Sequence, residues 1–99
     1  MANTPEGRVK DKVKALLKAM GIWYYMPMQN GYGVVGIPDF ICCWKGRFMV
    51  IETKAPGKVT NTTANQKRVL GQIDAALGLT LVVDSVDELE SFLKRNGEW

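Results

Sequence analysis

Asp39, Glu52 and Lys54 are the residues whose types and spacing bring chemistry together in this chain. They sit within residues 36–54, where two apolar runs flank the turn-forming pair Lys45-Gly46. That pattern predicts a β-hairpin. With Lys45 and Gly46 in a tight turn, Trp44 pairs with Arg47 and every later pair keeps the same sum of residue numbers. Asp39 then lies opposite Glu52, with β-carbons about 4.5–5.5 Å apart on one face of the sheet. Side chains alternate along a strand, so Lys54 shares that face and Thr53 points the other way. Two like charges facing each other destabilise a sheet unless something offsets them. A bound divalent cation does so, and so does protonation of one carboxyl. The plain alternative is a pair of strand-end acids reaching solvent with Lys54 as an ion-pair partner, since structural ion pairs produce the same clustering.

The elements that position these residues follow from the rest of the pattern. Ile41, Cys43, Phe48 and Val50 share the face of the charged cluster, while Phe40, Cys42, Met49 and Ile51 occupy the other. A hairpin that is apolar on both faces belongs in a sheet covered by helices on both sides. Ahead of it, Asn3 or Thr4 caps a first helix with Pro5 in its first turn, and Glu6 is spaced for a capping box with Asn3. Val9, Val13, Leu16, Leu17 and Met20 recur at helical spacing until Gly21. Arg8, Lys10, Lys12, Lys14 and Lys18 take the remainder and give a basic outer surface. Glu6 falls one turn before Val9, on the inward stripe, either as a cap or as a third carboxylate aimed at the end of the sheet.

Residues 22–26 have strong β propensity, and Pro27 marks them as a short or edge strand. The glycine-rich loop from Gln29 to Gly36 contains the spacing Gly31-x-Gly33-x-x-Gly36, which matches a dinucleotide fingerprint as a string. That motif needs a helix after it, and here Ile37-Pro38 and a strand follow, so no nucleotide cofactor is expected. After the hairpin, Ala55-Pro56-Gly57-Lys58 breaks the strand, and Thr63 with Gln66 forms a capping-box pattern for a second helix to about Leu77. Gln66, Val69, Leu70, Ile73, Ala76 and Leu77 form its inward stripe, ended by Gly78. Gln66 is either the cap alone or a polar group aimed at the hairpin. Lys58, Lys67 and Arg68 surround the start of this helix, whose positive dipole end also suits a phosphate. Leu79 to Val83 reads as a short interior strand. Ser85 with Glu88 opens a last helix with Val86, Leu89, Phe92 and Leu93 on its core side, and Trp99 is free to pack back or meet a partner.

Composition bounds the answer. Ninety-nine residues fit a single domain, 1–99, with one core. A formal charge of +3 mildly favours an anionic partner. No apolar run approaches the ~20 residues needed to cross a bilayer, and the N-terminal residues lack a signal-like apolar core, so no membrane partner is expected. The chain has no histidine, and its two cysteines are adjacent and face opposite sides of a strand. A zinc site is therefore short of ligands and an internal disulfide is disfavoured. The expected compartment is the reducing cytoplasm, and any metal must be held by oxygen, which points to Mg²⁺ or Mn²⁺.

Helix, strand, hairpin, helix, strand and helix in that order imply a mixed sheet between helices, an α/β fold. At this level the residues resemble a known family. Pro38-Asp39 followed by Glu52-Thr53-Lys54 is similar to the signature of the PD-(D/E)xK, restriction-endonuclease-like nucleases, and the element order is similar to their αβββαβ core with an extra C-terminal helix. Gly36-Ile37-Pro38-Asp39-Phe40, Ile51 to Gly57, Asn65-Gln66 and Gly78 before an apolar strand resemble the VRR-NUC branch, in its small stand-alone viral or bacterial form. The loop from Lys58 to Thr62 departs from the acidic, serine-containing loop common there. The resemblance implies phosphodiester hydrolysis with Mg²⁺ or Mn²⁺ bound by Asp39, Glu52 and the Thr53 carbonyl. It implies Lys54 as the residue that orients or activates the attacking water, with Glu6 and Gln66 completing the site. Lys10, Lys58, Lys67 and Arg68 are the expected DNA contacts. A homodimer cutting branched DNA such as a four-way junction, in the host cytoplasm if the source is viral, is the reading carried forward. The aromatic and methionine residues Trp23, Tyr24, Tyr25, Met26 and Met28 supply either its interface or part of the core. A flap or nicking nuclease, a non-catalytic DNA-binding module and a small interaction protein with an incidental ion-pair cluster are the alternatives.

Overall fold

The computed structural model describes residues 4–28 and 33–97. Helix α1 spans Pro5–Ala19. Thr4 takes its N-cap, accepting a 3.0 Å hydrogen bond from the Gly7 N–H, with Pro5 in the first turn. Asn3, the other candidate cap, lies outside the described residues. With Thr4 as cap, Gly7 and not Glu6 holds the third helical position, so Glu6 is released from capping. Val9, Val13 and Leu17 form the buried stripe, and Gly21 turns the chain out of the helix at φ +68°.

Strands β1 (Trp23–Tyr25), β2 (Phe40–Trp44), β3 (Arg47–Thr53) and β4 (Leu79–Val83) form one sheet in the order β1-β2-β3-β4. The first three are antiparallel neighbours, and β4 runs parallel to β3. The crossover between β3 and β4 is made by a 3-10 turn at Val59–Asn61 and helix α2 at Ala64–Ala75. Lys45 and Gly46 both have positive φ, +52° and +77°, as a type I′ hairpin turn requires. The β2–β3 register runs from Trp44↔Arg47 to Phe40↔Ile51, the expected constant sum. Pairing stops one residue short of Asp39. Edge strand β1 is three residues long, in keeping with Pro27 just beyond it.

Helices α1 and α3 (Val86–Arg95) cover one face of the sheet. The main core lies there: Val13 and Leu17 against Phe40, Cys42, Met49 and Ile51, closed by Leu81, Leu89 and Leu93. Trp44 packs on Phe92 with ring centroids 6.2 Å apart, and the Lys45 ammonium donates to the Gly97 carbonyl, fastening the hairpin turn to the end of α3. Ser85 caps α3 through the Glu88 N–H at 3.3 Å. Among the described residues no helix is long and apolar enough to cross a membrane.

The other face is only half covered, which corrects the expectation of helices over both sides. Helix α2 packs on β4 at this face, where Val50 and Val69 are both buried. The lateral row Trp23, Cys43 and Phe48 lies on this same face and is open, with Trp23 64% and Phe48 48% exposed. A single short helix cannot shield four strands. The inward stripe of α2 also ends earlier than expected. The helix stops at Ala75, Ala76 is exposed, and Leu77 is 79% exposed in the left-handed region at φ +71°. Gly78 is needed one residue later, where a β-carbon would fall 2.7 Å from Ile73 Cγ2 and 3.2 Å from Phe48 Cδ2. Space, not φ, fixes the glycine there.

Candidate active site

The C-terminal end of β3 meets the N-terminus of α2 and the first turns of α1 around an open cleft of about 490 Å³. Glu6, Lys10, Asp39, Glu52, Lys54 and Gln66 all line it. These side chains come from two helices, strand β3 and the segments beside β2 and β3, brought together by the hairpin register and the β3–α2–β4 crossover.

Asp39 stands just before β2, and Phe40, rigidly buried after it, fixes where its carboxylate goes. Its Oδ2 accepts from the Thr53 N–H at 3.0 Å and from the Thr53 hydroxyl at 2.6 Å. Its Oδ1 lies 3.4 Å from the Lys10 ammonium. Glu52 is almost fully buried; its Oε2 accepts from the Gln66 amide at 2.9 Å and lies 3.5 Å from the Lys54 ammonium. Its Oε1 is buried without a hydrogen-bond partner. Burial first, and the nearby Asp39 charge second, push the Glu52 carboxyl up to about 7, against the pull of Lys54. Lys54 is held by its own backbone N–H on the Val83 carbonyl at 2.9 Å and by its ammonium donating to Gln66 Oε1 at 2.9 Å.

Gln66 resolves a choice that its position left open, because it serves both ends. Its Oε1 also accepts from the Thr63 N–H at 2.9 Å, and its N–H donates to the Thr63 hydroxyl at 3.1 Å, completing the capping box. One side-chain amide thereby starts α2 and clamps Glu52 to Lys54. Gly36 closes the cleft from the other side. Its φ is +90°, and a β-carbon there would lie 2.5 Å from the backbone carbonyl of Asn65 and 2.9 Å from the Gln66 nitrogen. Only glycine lets this loop seat on the start of α2. The glycine spacing leads into strand β2 and not into a helix.

A solved structure of a "VRR_NUC domain" aligns with this chain at a TM-score of 0.75, covering 94% of this chain and 98% of that one at 23% sequence identity. The chain has the VRR-NUC fold. No family model and no curated protein matches the sequence.

On this VRR-NUC fold the expected Asp39, Glu52, Lys54, Gln66 and Glu6 all reach one cleft, and Lys10 joins them. Lys10 was expected on the outer basic surface of α1; instead it faces Asp39, because it follows Glu6 by one turn and shares its side of the helix. Lys58, Lys67 and Arg68 are exposed and lie outside the cleft, Arg68 with its guanidinium 3.4 Å from Asn65 Oδ1. Two features were missed in the sequence. Thr53 orients Asp39 through two donors, for which the hydroxyl between Glu52 and Lys54 was the available signal, and Gly36 makes its close approach to α2, for which no local signal exists. The donor set suits a hard divalent cation: two carboxylates, one of them with a buried oxygen lacking any donor. Among the described residues no group of three or more acidic, histidine or cysteine side chains is gathered tightly enough to hold a metal. Glu6 lines the same cleft as the two acids.

Proposed function

We propose that this protein is a metal-dependent, structure-specific DNA endonuclease that hydrolyses phosphodiester bonds in branched DNA, such as four-way junctions, as a homodimer. The observation that carries the reading is the unpartnered, buried Glu52 Oε1 beside Asp39 and Lys54 in an open cleft. A buried carboxylate oxygen without a protein donor is costly, and a bound cation satisfies it. Asp39 and Glu52, with the Thr53 carbonyl, hold Mg²⁺ or Mn²⁺ in this reading. When bound, the cation supplies Lewis acidity toward the scissile phosphate and the attacking water. Thr53 keeps Asp39 aimed at the cleft. Gln66 keeps Glu52 and Lys54 at fixed spacing, and Lys54 offers its ammonium to the phosphate oxygen on which charge develops, or to the incoming water. Glu6 stands on the cleft wall as a third carboxylate completing the site.

Lys10 within the cleft and Lys58, Lys67 and Arg68 beside the start of α2 form the backbone-contacting surface, whose affinity depends on salt. The two-copy assembly is supported by exposed residues of the aromatic cluster. Tyr24 and Met26 belong to the core, Tyr24 meeting Phe40 at 5.8 Å, whereas Trp23, Tyr25 and Met28 are 64%, 53% and 76% exposed. A symmetric pair places two clefts on one branched substrate. The expected compartment remains the cytoplasm.

The test is cleavage of a labelled panel of four-way junction, flap, single strand and plain duplex with Mg²⁺, Mn²⁺ or EDTA. Paired incisions in the junction are expected. Preferred cutting of flaps or nicks keeps the chemistry and overturns the junction assignment; binding with no cutting under either metal makes the chain a DNA-binding module.

A further inference from the structure

We propose that Lys10 is an exchangeable counter-ion, resting on Asp39 in the metal-free protein and passing to a substrate phosphate when a divalent cation binds. This rests on the metal-binding reading above. The geometry that points to it is the division of labour at Asp39. Oδ2 is already occupied by two Thr53 donors, at 3.0 and 2.6 Å, which fix the carboxylate and leave Oδ1 as the oxygen open to a cation. Lys10 stands at that oxygen, 3.4 Å away. An ammonium and a metal ion cannot share one carboxylate oxygen at close range without strong repulsion, so each binds at the expense of the other.

Lys10 is built to leave, and Lys54 is not. The Lys10 side chain is 32% exposed and reaches the cleft on a flexible stem from α1. The Lys54 side chain is 9% exposed and is held by Gln66 and Glu52. The site thus carries one anchored lysine and one more exposed, singly held lysine. The exposed one neutralises Asp39 beside the nearly buried Glu52 until the metal arrives, then becomes a free cation on the cleft wall, where a phosphate must pass.

The consequence is a pair of effects of opposite sign. In Lys10→Met, Mn²⁺ binding to the free protein, measured calorimetrically at fixed pH and salt, should tighten by about three- to tenfold, since a competing charge is gone. Affinity for a four-way junction, measured in Ca²⁺, should weaken several-fold. A merely structural role for Lys10 moves both affinities in the same direction. Lys10→Arg keeps the charge in the same place and should bind Mn²⁺ no more tightly than wild type, which provides the test should Lys10→Met fail to fold. Unchanged or weaker Mn²⁺ binding in Lys10→Met, or tighter binding in Lys10→Arg, overturns the proposal while leaving the metal site standing. Tighter Mn²⁺ binding with unchanged junction affinity overturns the transfer to phosphate. No Mn²⁺ binding by wild type, indistinguishable from Asp39→Asn, overturns both this proposal and the metal-binding reading beneath it.

Discussion

Glu52 sets the balance of the site. It is 3% exposed, within reach of one lysine and one carboxylate, and its carboxyl titrates at about 7 instead of 4.5 because burial outweighs Lys54. The folded protein therefore holds this proton more tightly than the unfolded chain does. The stability that Glu52 allows is greatest below about pH 4.5, falls as pH rises through about 7 and is flat above, a span of about 3 kcal/mol. Denaturation in urea with EDTA across pH 5 to 8 should show that decline in wild type and lose it in Glu52→Gln; an equal slope in the variant assigns the titration to another group. Because a cation binds the ionised form, Mn²⁺ affinity should also drop about tenfold per pH unit below 7. The types and spacing of Asp39, Glu52 and Lys54 were legible in the sequence, since the period of a strand and a two-residue turn fix which residues face each other. What was not legible is how their hydrogen bonds divide. Asp39 turning to Thr53, and Lys10 turning to Asp39, depend on side-chain directions that periodicity does not carry.

At the scale of the elements, two loop-to-helix junctions hold the cleft in shape. At Gly36 the site loop touches the start of α2, with room for no β-carbon. Gly36→Ala should lift the loop, lower stability by about 1–3 kcal/mol and reduce cleavage by at least tenfold, because small displacements at a reacting centre are costly. A variant with wild-type melting temperature and turnover would show that the contact is dispensable. At the other end of α2 the left-handed position is filled by Leu77 at φ +71°, a conformation that suits glycine. Leu77→Gly should raise the unfolding free energy by about 0.5–1 kcal/mol, read as a higher urea midpoint at unchanged slope, since the exposed leucine loses little burial. A destabilised Leu77→Gly would mean that this leucine is buried against something in solution. Helix boundaries and caps were legible here because Thr63, Gln66, Ser85 and Thr4 or its neighbour carry short-range signals. The early end of α2 was not, since Gly78 reads as a cap while serving as a spacer between Ile73 and Phe48.

For the whole molecule, the mixed sheet and the crossover followed from element order, but the extent of helical cover did not, and β4, expected inside the sheet, is an edge strand. One short helix over four strands leaves Trp23, Tyr25 and Phe48 exposed, a residue-level pattern indistinguishable in sequence from a second buried face. If this open half and the β1 edge meet a second copy, replacing Trp23 and Tyr25 together with serine should give monomers by light scattering, with an unchanged circular dichroism spectrum. A monomeric wild type would overturn the dimer instead. The central claim, however, concerns the cleft. The most direct measurement is cleavage of one labelled four-way junction at increasing Mg²⁺ or Mn²⁺, comparing wild type with Lys54→Ala after confirming that both bind the DNA. The expected result is metal-dependent cutting by wild type, abolished by EDTA and lowered by about two to three orders of magnitude in Lys54→Ala. Cutting that persists in EDTA, or that survives intact in Lys54→Ala, would contradict hydrolysis at this site.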